Sequence, residues 1–229
     1  MDSINFAAIG GGKAQEAAVR ELRRRGIPFD ANRAPTHVLL RIPTGGMETP
    51  LPEGVKVFGG GKKPEEVPEE AYTDLLKDPY FTAENGAITA QCALRLLLEE
   101  TEDTLDHSRV LILGWGKIGK CLARMLRGLG AEVTVYARKE ADRAMLTALG
   151  YGTAAEVPGI HPEIVVNTVP ALLTETVNPG TVYLDLASLP GIGGDRVIRA
   201  RGLPGKLAPA ASGRLIAGTV LRYLGEEPE

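Results

Sequence analysis

The sequence predicts an α/β protein: a Rossmann-type doubly wound parallel sheet with a smaller N-terminal α/β domain. Three observations predict it. The run Val110-Leu111-Ile112-Leu113 is apolar throughout, as in a strand buried on both faces. It runs into Gly114-Trp115-Gly116-Lys117-Ile118-Gly119, a G-x-G-x-x-G turn. Ile118, Cys121, Leu122, Met125 and Leu126 then recur at i, i+3, i+4, i+7 and i+8, the stripe of a helix that stops at Gly130, and a second strand follows at Glu132 to Tyr136. Only in this strand–turn–helix–strand setting does the glycine pattern point to a dinucleotide.

The glycines have separate expected tasks. Gly114 allows the tight turn, Gly116 lets the backbone approach a pyrophosphate, and Gly119 allows the helix to lie close to the strand. Free N–H groups at the helix start, with the positive end of its dipole, then receive the phosphates together with the flanking Trp115, Lys117 and Ile118. The same residues nearly spell a P-loop, G-x-x-x-x-G-K-[ST]. Cys121 replaces the hydroxyl that would hold magnesium, and a thiol is a poor ligand for a hard cation. Nucleotide hydrolysis is therefore the weaker reading.

Upstream, Ile4 to Ile9 reads as a strand that meets Gly10-Gly11-Gly12. Ala14, Ala17, Ala18 and Leu22 mark a helix face. Arg23-Arg24-Arg25 places cations at that helix's negative end, and Gly26 and Pro28 stop it. Thr36 to Ile42 and Val55 to Phe58 read as strands, residues 59–70 as a loop, and Ala71 to Lys77 as a short helix. The GGGK runs at Gly10 and Gly59 lack dinucleotide spacing and read as turns, or at most loops near a substrate. Residues 1–84 thus form the small domain.

Asn85 to Glu100 reads as a helix apolar on more than one side, and residues 85–107 join the domains. Residues 108–205 form the dinucleotide domain. After the second strand come a helix over Asp142 to Leu149 and buried strands at Ile164 to Asn167 and Thr181 to Leu186. Strands alternating with helices imply right-handed crossovers and a parallel sheet. Residues 206–229 hold a last helix, opened by Pro209, that packs back between the domains or at a contact between copies of the chain. The final residues, Gly225 to Glu229, are expected to fray.

The second strand's end chooses the cofactor. An acidic residue there would hold the ribose 2′-hydroxyl of NAD. Tyr136-Ala137-Arg138-Lys139 has two cations instead, so NADP is expected over NAD, with Arg138 pairing the 2′-phosphate. A solvated basic loop is the plain alternative. At the next strand ends, Asn167-Thr168-Val169-Pro170 and Asp185-Leu186-Ala187-Ser188 should border the nicotinamide ribose and the substrate. Asp185 holding a turn and Ser188 capping a segment are the structural alternatives.

Composition sets limits. The chain has 229 residues, 44% of them hydrophobic and 24% charged, with a net charge of −3, which favours neither nucleic acid nor an acidic membrane surface. Its apolar runs fall short of the roughly 20 residues a membrane helix needs. Met1-Asp2-Ser3-Ile4-Asn5 lacks the basic start of a signal peptide. Cys92 and Cys121 both fall on apolar helix faces, so no disulfide framework is expected and a reducing cytoplasm is. No metal site is expected.

With these pieces assembled, the sequence resembles the dipicolinate synthase family, in its A-type chain. The resemblance rests on Asn85 and Thr89 opening the linker helix, on Val110 to Lys120, on Asn167 to Pro170, on Leu184 to Gly194, on Gly202-Leu203-Pro204-Gly205-Lys206-Leu207-Ala208-Pro209, and on Ser212-Gly213. It is good from Asn85 onward and weak over residues 1–82. It implies oxidation of dihydrodipicolinate to pyridine-2,6-dicarboxylate during spore formation, with NADP and a separate flavoprotein-like partner protein. Lys206 and Arg214 flank the matching pieces and are candidate partners for the substrate's carboxylates. Thr89 and Ser188 are candidates for its oxygens. The N-terminal part looks shorter than the family's, and Ile88 and Gln91 stand where Pro and Glu are expected, so position 91 offers no acid or base.

No residue is identified as the catalytic base. His107 precedes the central strand, His37 and His161 sit near strand starts, and no histidine–carboxylate pair of the hydroxyacid-dehydrogenase type is evident. Alternatives are a nucleotide-binding assembly or regulatory protein that needs a partner for catalysis, and a dehydrogenase for another small carboxylate.

Overall fold

A computed structural model describes residues 4–45, 50–156, 162–173 and 178–226. The Met1-Asp2-Ser3 start, His161 and the last three residues lie outside this set. Two compact units form, one from Met1–Ile88 with Pro204–Glu229 and one from Thr89–Leu203.

The first unit begins with β1 (Phe6–Ile9), α1 (Lys13–Arg24), β2 (His37–Leu40) and β3 (Lys56–Gly59). A 3₁₀ turn, β4 (Tyr72–Asp74) and a second 3₁₀ turn (Leu75–Lys77) follow, and α2 (Pro79–Glu100) starts next. The four strands are parallel in the order β1-β2-β3-β4. One sheet face carries Phe6, Leu39 and Phe58. These pack with Ala18 and Leu22 of α1 and with Ile216, Ala217, Val220 and Leu221 of the C-terminal helix α6 (Pro209–Leu224). The last helix therefore spends its apolar face on α1, inside the first unit. Small residues permit the approach: a Cβ on Gly213 would lie 2.4 Å from Ala17 Cβ and 2.7 Å from the Ala18 nitrogen. Gln15 of α1 is buried and donates to the Ile9 and Leu39 carbonyls (2.8 and 2.7 Å), joining the helix to two strand ends.

Ala71 to Lys77 is not the expected helix. Tyr72 and Thr73 pair with Val57 and Phe58, so a sheet edge captures the segment. Asp74 then accepts from the Leu76 and Gly61 N–H groups, at 3.0 and 2.9 Å, and stops the strand. The long helix starts earlier than its apolar pattern suggests, because Asp78 caps it by accepting from Phe81 N–H at 2.7 Å and Pro79 begins it. Burial pushes the Asp78 carboxyl up. The Phe81 N–H and the Arg222 guanidinium, 3.1 Å away, outweigh that and hold it below its ordinary value.

The second unit contains β5 (Arg109–Leu113), α3 (Lys117–Gly128), β6 (Glu132–Tyr136), α4 (Glu140–Ala148) and β7 (Gly152–Ala154). Then come β8 (Ile164–Asn167), β9 (Val182–Asp185) and β10 (Val197–Arg199); the short α5 (Leu203–Leu207) follows. The sheet is parallel in the order β10-β9-β8-β5-β6-β7. That is the dinucleotide-fold order 3-2-1-4-5-6 read from the other edge, with the chain reversing between β5 and β8. The strict alternation of strand and helix ends there: among the described residues no helix separates β8, β9 and β10. Leu173 and Ile192, from the intervening loops, cover Leu111, Leu113, Val165, Tyr183 and Val197 instead. The edge strands β7 and β10 and the helix α5 had no apolar pattern long enough to announce them.

Candidate dinucleotide site

The site begins where β5 ends. Gly114 has φ 109°, a region that disfavours side chains, and a Cβ there would lie 2.6 Å from Thr168 Oγ1 and 2.7 Å from Val169 Cγ2. Its N–H donates to the Tyr136 carbonyl at 3.0 Å. Gly116 is the N-cap of α3, and nothing lies within 4 Å of where its Cβ would be, so the backbone is open to a ligand. Gly119 is the opposite case: its Cβ would lie 2.2 Å from the Gly114 carbonyl oxygen. One glycine makes the turn, one leaves space, and one closes the helix onto the turn. The N–H groups that open α3 lack intrahelical acceptors and are available to an anion.

A cavity of about 270 Å³ forms over this turn, lined by Gly114, Trp115 and Gly116, by Tyr136, Ala137, Arg138, Lys139 and Asp142, and by Thr168, Val169 and Pro170. It lies beyond the carboxyl ends of β5, β6 and β8, where the strand order reverses and open α/β sheets place ligands. Trp115 sits edge-on to Tyr151, with ring centroids 5.7 Å apart, and Lys120 Nζ stands 5.8 Å over the indole. Arg138 and Lys139 are exposed. The Thr168 hydroxyl is committed to the Leu113 carbonyl at 2.9 Å, so the cavity wall presents its backbone and methyl group.

Other residues expected at the cofactor do not line the cavity with their side chains. Lys117, Ile118 and Gly119 form the first turn of α3 and lie outside the cavity wall. Asn167 and Asp185 are 0% and 2% exposed. Asn167 Nδ2 donates to Asp185 Oδ1 (2.8 Å) and to the Val169 carbonyl (3.0 Å), and its Oδ1 accepts from Val169 N–H at 3.0 Å. Asp185 also accepts from the Ala187, Gly191 and Ile192 N–H groups (3.1, 2.8 and 3.4 Å) and from Arg199 Nη1 at 3.4 Å. Both side chains are thus consumed in shaping the loops after β8 and β9, the turn-holding alternative for Asp185. Ala187, in the loop after β9, is buried.

The substrate candidates do not line this cavity. Thr89 is buried on α2 and Ser188 is exposed after β9, both in the second unit; Lys206 and Arg214 lie on α5 and α6 in the first. His37 is a core residue. It stacks on Phe6 at 4.9 Å, its Nδ1 lies 2.9 Å from Thr36 Oγ1, and burial, aided by Lys56, pushes its pKa down. His107 is exposed just before β5, at the sheet end away from the cavity. Cys92 and Cys121 are free thiols. Among the described residues no cluster of metal-binding side chains occurs, and no helix is long and apolar enough to cross a membrane.

Tyr136 and Asp142 line the cavity without having been expected there. Asp142 belongs to the first turn of α4, where a carboxylate is ordinary helix chemistry, so nothing in the sequence marks it. Tyr136 is the last residue of β6, and strand alternation alone carries its signal.

Residues 94–176 match the family model described as the NAD binding domain of D-isomer specific 2-hydroxyacid dehydrogenases, so this unit is of the nicotinamide-cofactor type. The A chain of dipicolinate synthase from Bacillus subtilis is 34% identical over 159 residues. That match covers 62% of this chain and 54% of the other protein, so the chain spans about half the length of that relative. A crystal structure of the dipicolinate synthase A chain from Bacillus subtilis has a TM-score of 0.81 at 23% identity, covering 98% of this chain and 97% of that one. The crystal structure of the corresponding dipicolinate synthase chain from Bacillus halodurans gives 0.77 at 20% identity, covering 98% of each chain. At those identities the structural likeness speaks for the fold. In sequence over 159 residues, and in fold over 98% of its length, this chain is similar to the A chain of dipicolinate synthase.

Proposed function

We propose that the chain is an NADP-dependent dehydrogenase component that oxidises dihydrodipicolinate to dipicolinate. The observation that carries the cofactor reading is the cavity itself, which gathers the Gly114–Gly116 turn with Arg138 and Lys139. Gly116 and the opening N–H groups of α3 would hold the pyrophosphate. Arg138 and Lys139 would pair the 2′-phosphate at the position where an NAD-specific strand end carries an acid. Thr168, Val169 and Pro170 would border the nicotinamide ribose. The similarity to the dipicolinate synthase A chain supports the substrate.

Aromatising a dihydropyridine requires loss of one hydride and one proton. The bound nicotinamide would accept the hydride. The protein's part is to hold the ring against it and keep the two carboxylates oriented.

The test supplies NADP⁺ and dihydrodipicolinate to the purified chain, alone and with the flavoprotein-like partner that the resemblance implies, and follows reduced nicotinamide by absorbance. NADP-dependent turnover with release of dipicolinate is expected. NADP binding with no turnover under either condition would overturn the enzyme reading and favour a nucleotide-binding assembly protein.

A further inference from the structure

Beyond the two cations at the end of β6 lies a third that does not line the cavity. Arg143, half-buried on α4, sends Nη1 to the carbonyl oxygens of both Ala137 and Arg138, at 2.8 Å each. These are the two peptide groups linking Ala137, Arg138 and Lys139. In a planar trans peptide the carbonyl oxygen and the next N–H point to opposite sides. Anchoring both carbonyls on Arg143 therefore turns the Arg138 and Lys139 N–H groups away from that guanidinium. The carbonyl of Lys139 is also occupied, accepting from Arg143 N–H at 3.2 Å as α4 begins. All three turn carbonyls are thus committed to one residue.

We infer that Arg143 is a positioning residue for cofactor choice, the brace that makes the Ala137–Lys139 turn a receptor for the 2′-phosphate. The inference rests on the NADP reading. A phosphate in this cavity meets a hostile group as well as friendly ones, because the Asp142 carboxylate lines the same wall. The Arg138 and Lys139 side chains must outweigh it, and they do so only if the turn presents cations and N–H groups rather than carbonyl oxygens. With Arg143 removed, the Ala137 and Arg138 carbonyls lose their donor and are free to rotate toward the cavity. Their negative ends would then repel the dianionic 2′-phosphate and leave the 2′-hydroxyl of NAD nearly indifferent. The brace accordingly acts on the difference between the two cofactors.

Calorimetric titration of the intact chain with NADP and with NAD tests this in the wild type, Arg143→Ala, Arg138→Ala and the double variant, with thermal melts to establish that each is folded. In Arg143→Ala the NADP dissociation constant should rise about tenfold while that of NAD changes less than about threefold. In the Arg138→Ala background the further loss should be small, because a brace has little to present once its cation is gone. Should Arg143→Ala fail to fold, Arg143→Lys, which keeps the charge but not the planar fork, should retain only part of the NADP preference. An equal loss for both cofactors would make Arg143 merely structural, and unchanged binding would make it dispensable. Fully additive losses would make it a direct phosphate contact. Each of these overturns the inference, whereas a wild type that does not prefer NADP overturns the reading beneath it.

Discussion

Gly119 and Asp185 show how single residues govern this site from behind. A Cβ on Gly119 would collide with the Gly114 carbonyl oxygen, and backbone has no rotamer with which to yield. Gly119→Ala should therefore destabilise the protein by about 1–3 kcal/mol and displace the turn, weakening NADP and NAD alike. Denaturant unfolding with parallel cofactor titration checks both effects. The role of this glycine was legible because helix–strand contact at the third position of the pattern is a steric necessity. The roles of Asn167 and Asp185 were less so. They continue, two residues on, the rows of Val165 and Tyr183, whose sheet face is covered by Ile192 and Leu173 from the following loops. A sequence shows that a polar residue ends a strand; it does not show whether a loop or a ligand will satisfy it.

Among the elements, α1 and α6 make the least predictable pairing, because most of the chain separates them. The fit depends on Gly213 lying against Ala17 and Ala18, where no larger side chain has room. Gly213→Leu should lower the stability of the first unit by about 1–3 kcal/mol or more. Its melting transition should fall while the second unit, which contains none of these residues, keeps its own; calorimetric scanning resolves the two. Elements with a strong internal pattern, such as the helical period of α3 and the unbroken apolar run of β5, were readable directly. The segment that forms β4 reads as a helix in isolation because pairing with β3 decides it, and β7 and β10, each spanning only three residues, carry too little pattern to stand out. Asp78 before Pro79 is the cap signal that sets the start of α2.

Across the whole molecule, both sheets are parallel and glycine-rich turns follow β1, β3 and β5 at their carboxyl ends, but only the second sheet reverses its strand order. Only the turn after β5 has the spacing for a pyrophosphate, and the family model for an NAD binding domain matches there. The fold class was legible from one apolar strand and the turn after it. The proposed substrate was not legible from spacing or periodicity, because recognition of a small dicarboxylate would need a few cations whose positions depend on the folded chain. The cofactor lies between these cases: the absence of an acid at the β6 end could be read, but Asp142 in the cavity wall could not. The most direct test of the proposed NADP preference is a calorimetric comparison of NADP and NAD binding to the wild type and Arg138→Ala. Tighter NADP binding is expected in the wild type, with a selective loss of about 10–100-fold in the variant, the worth of a charged hydrogen bond to phosphate. Equal or tighter binding of NAD by the wild type, or an Arg138→Ala variant that keeps its NADP affinity, would contradict it.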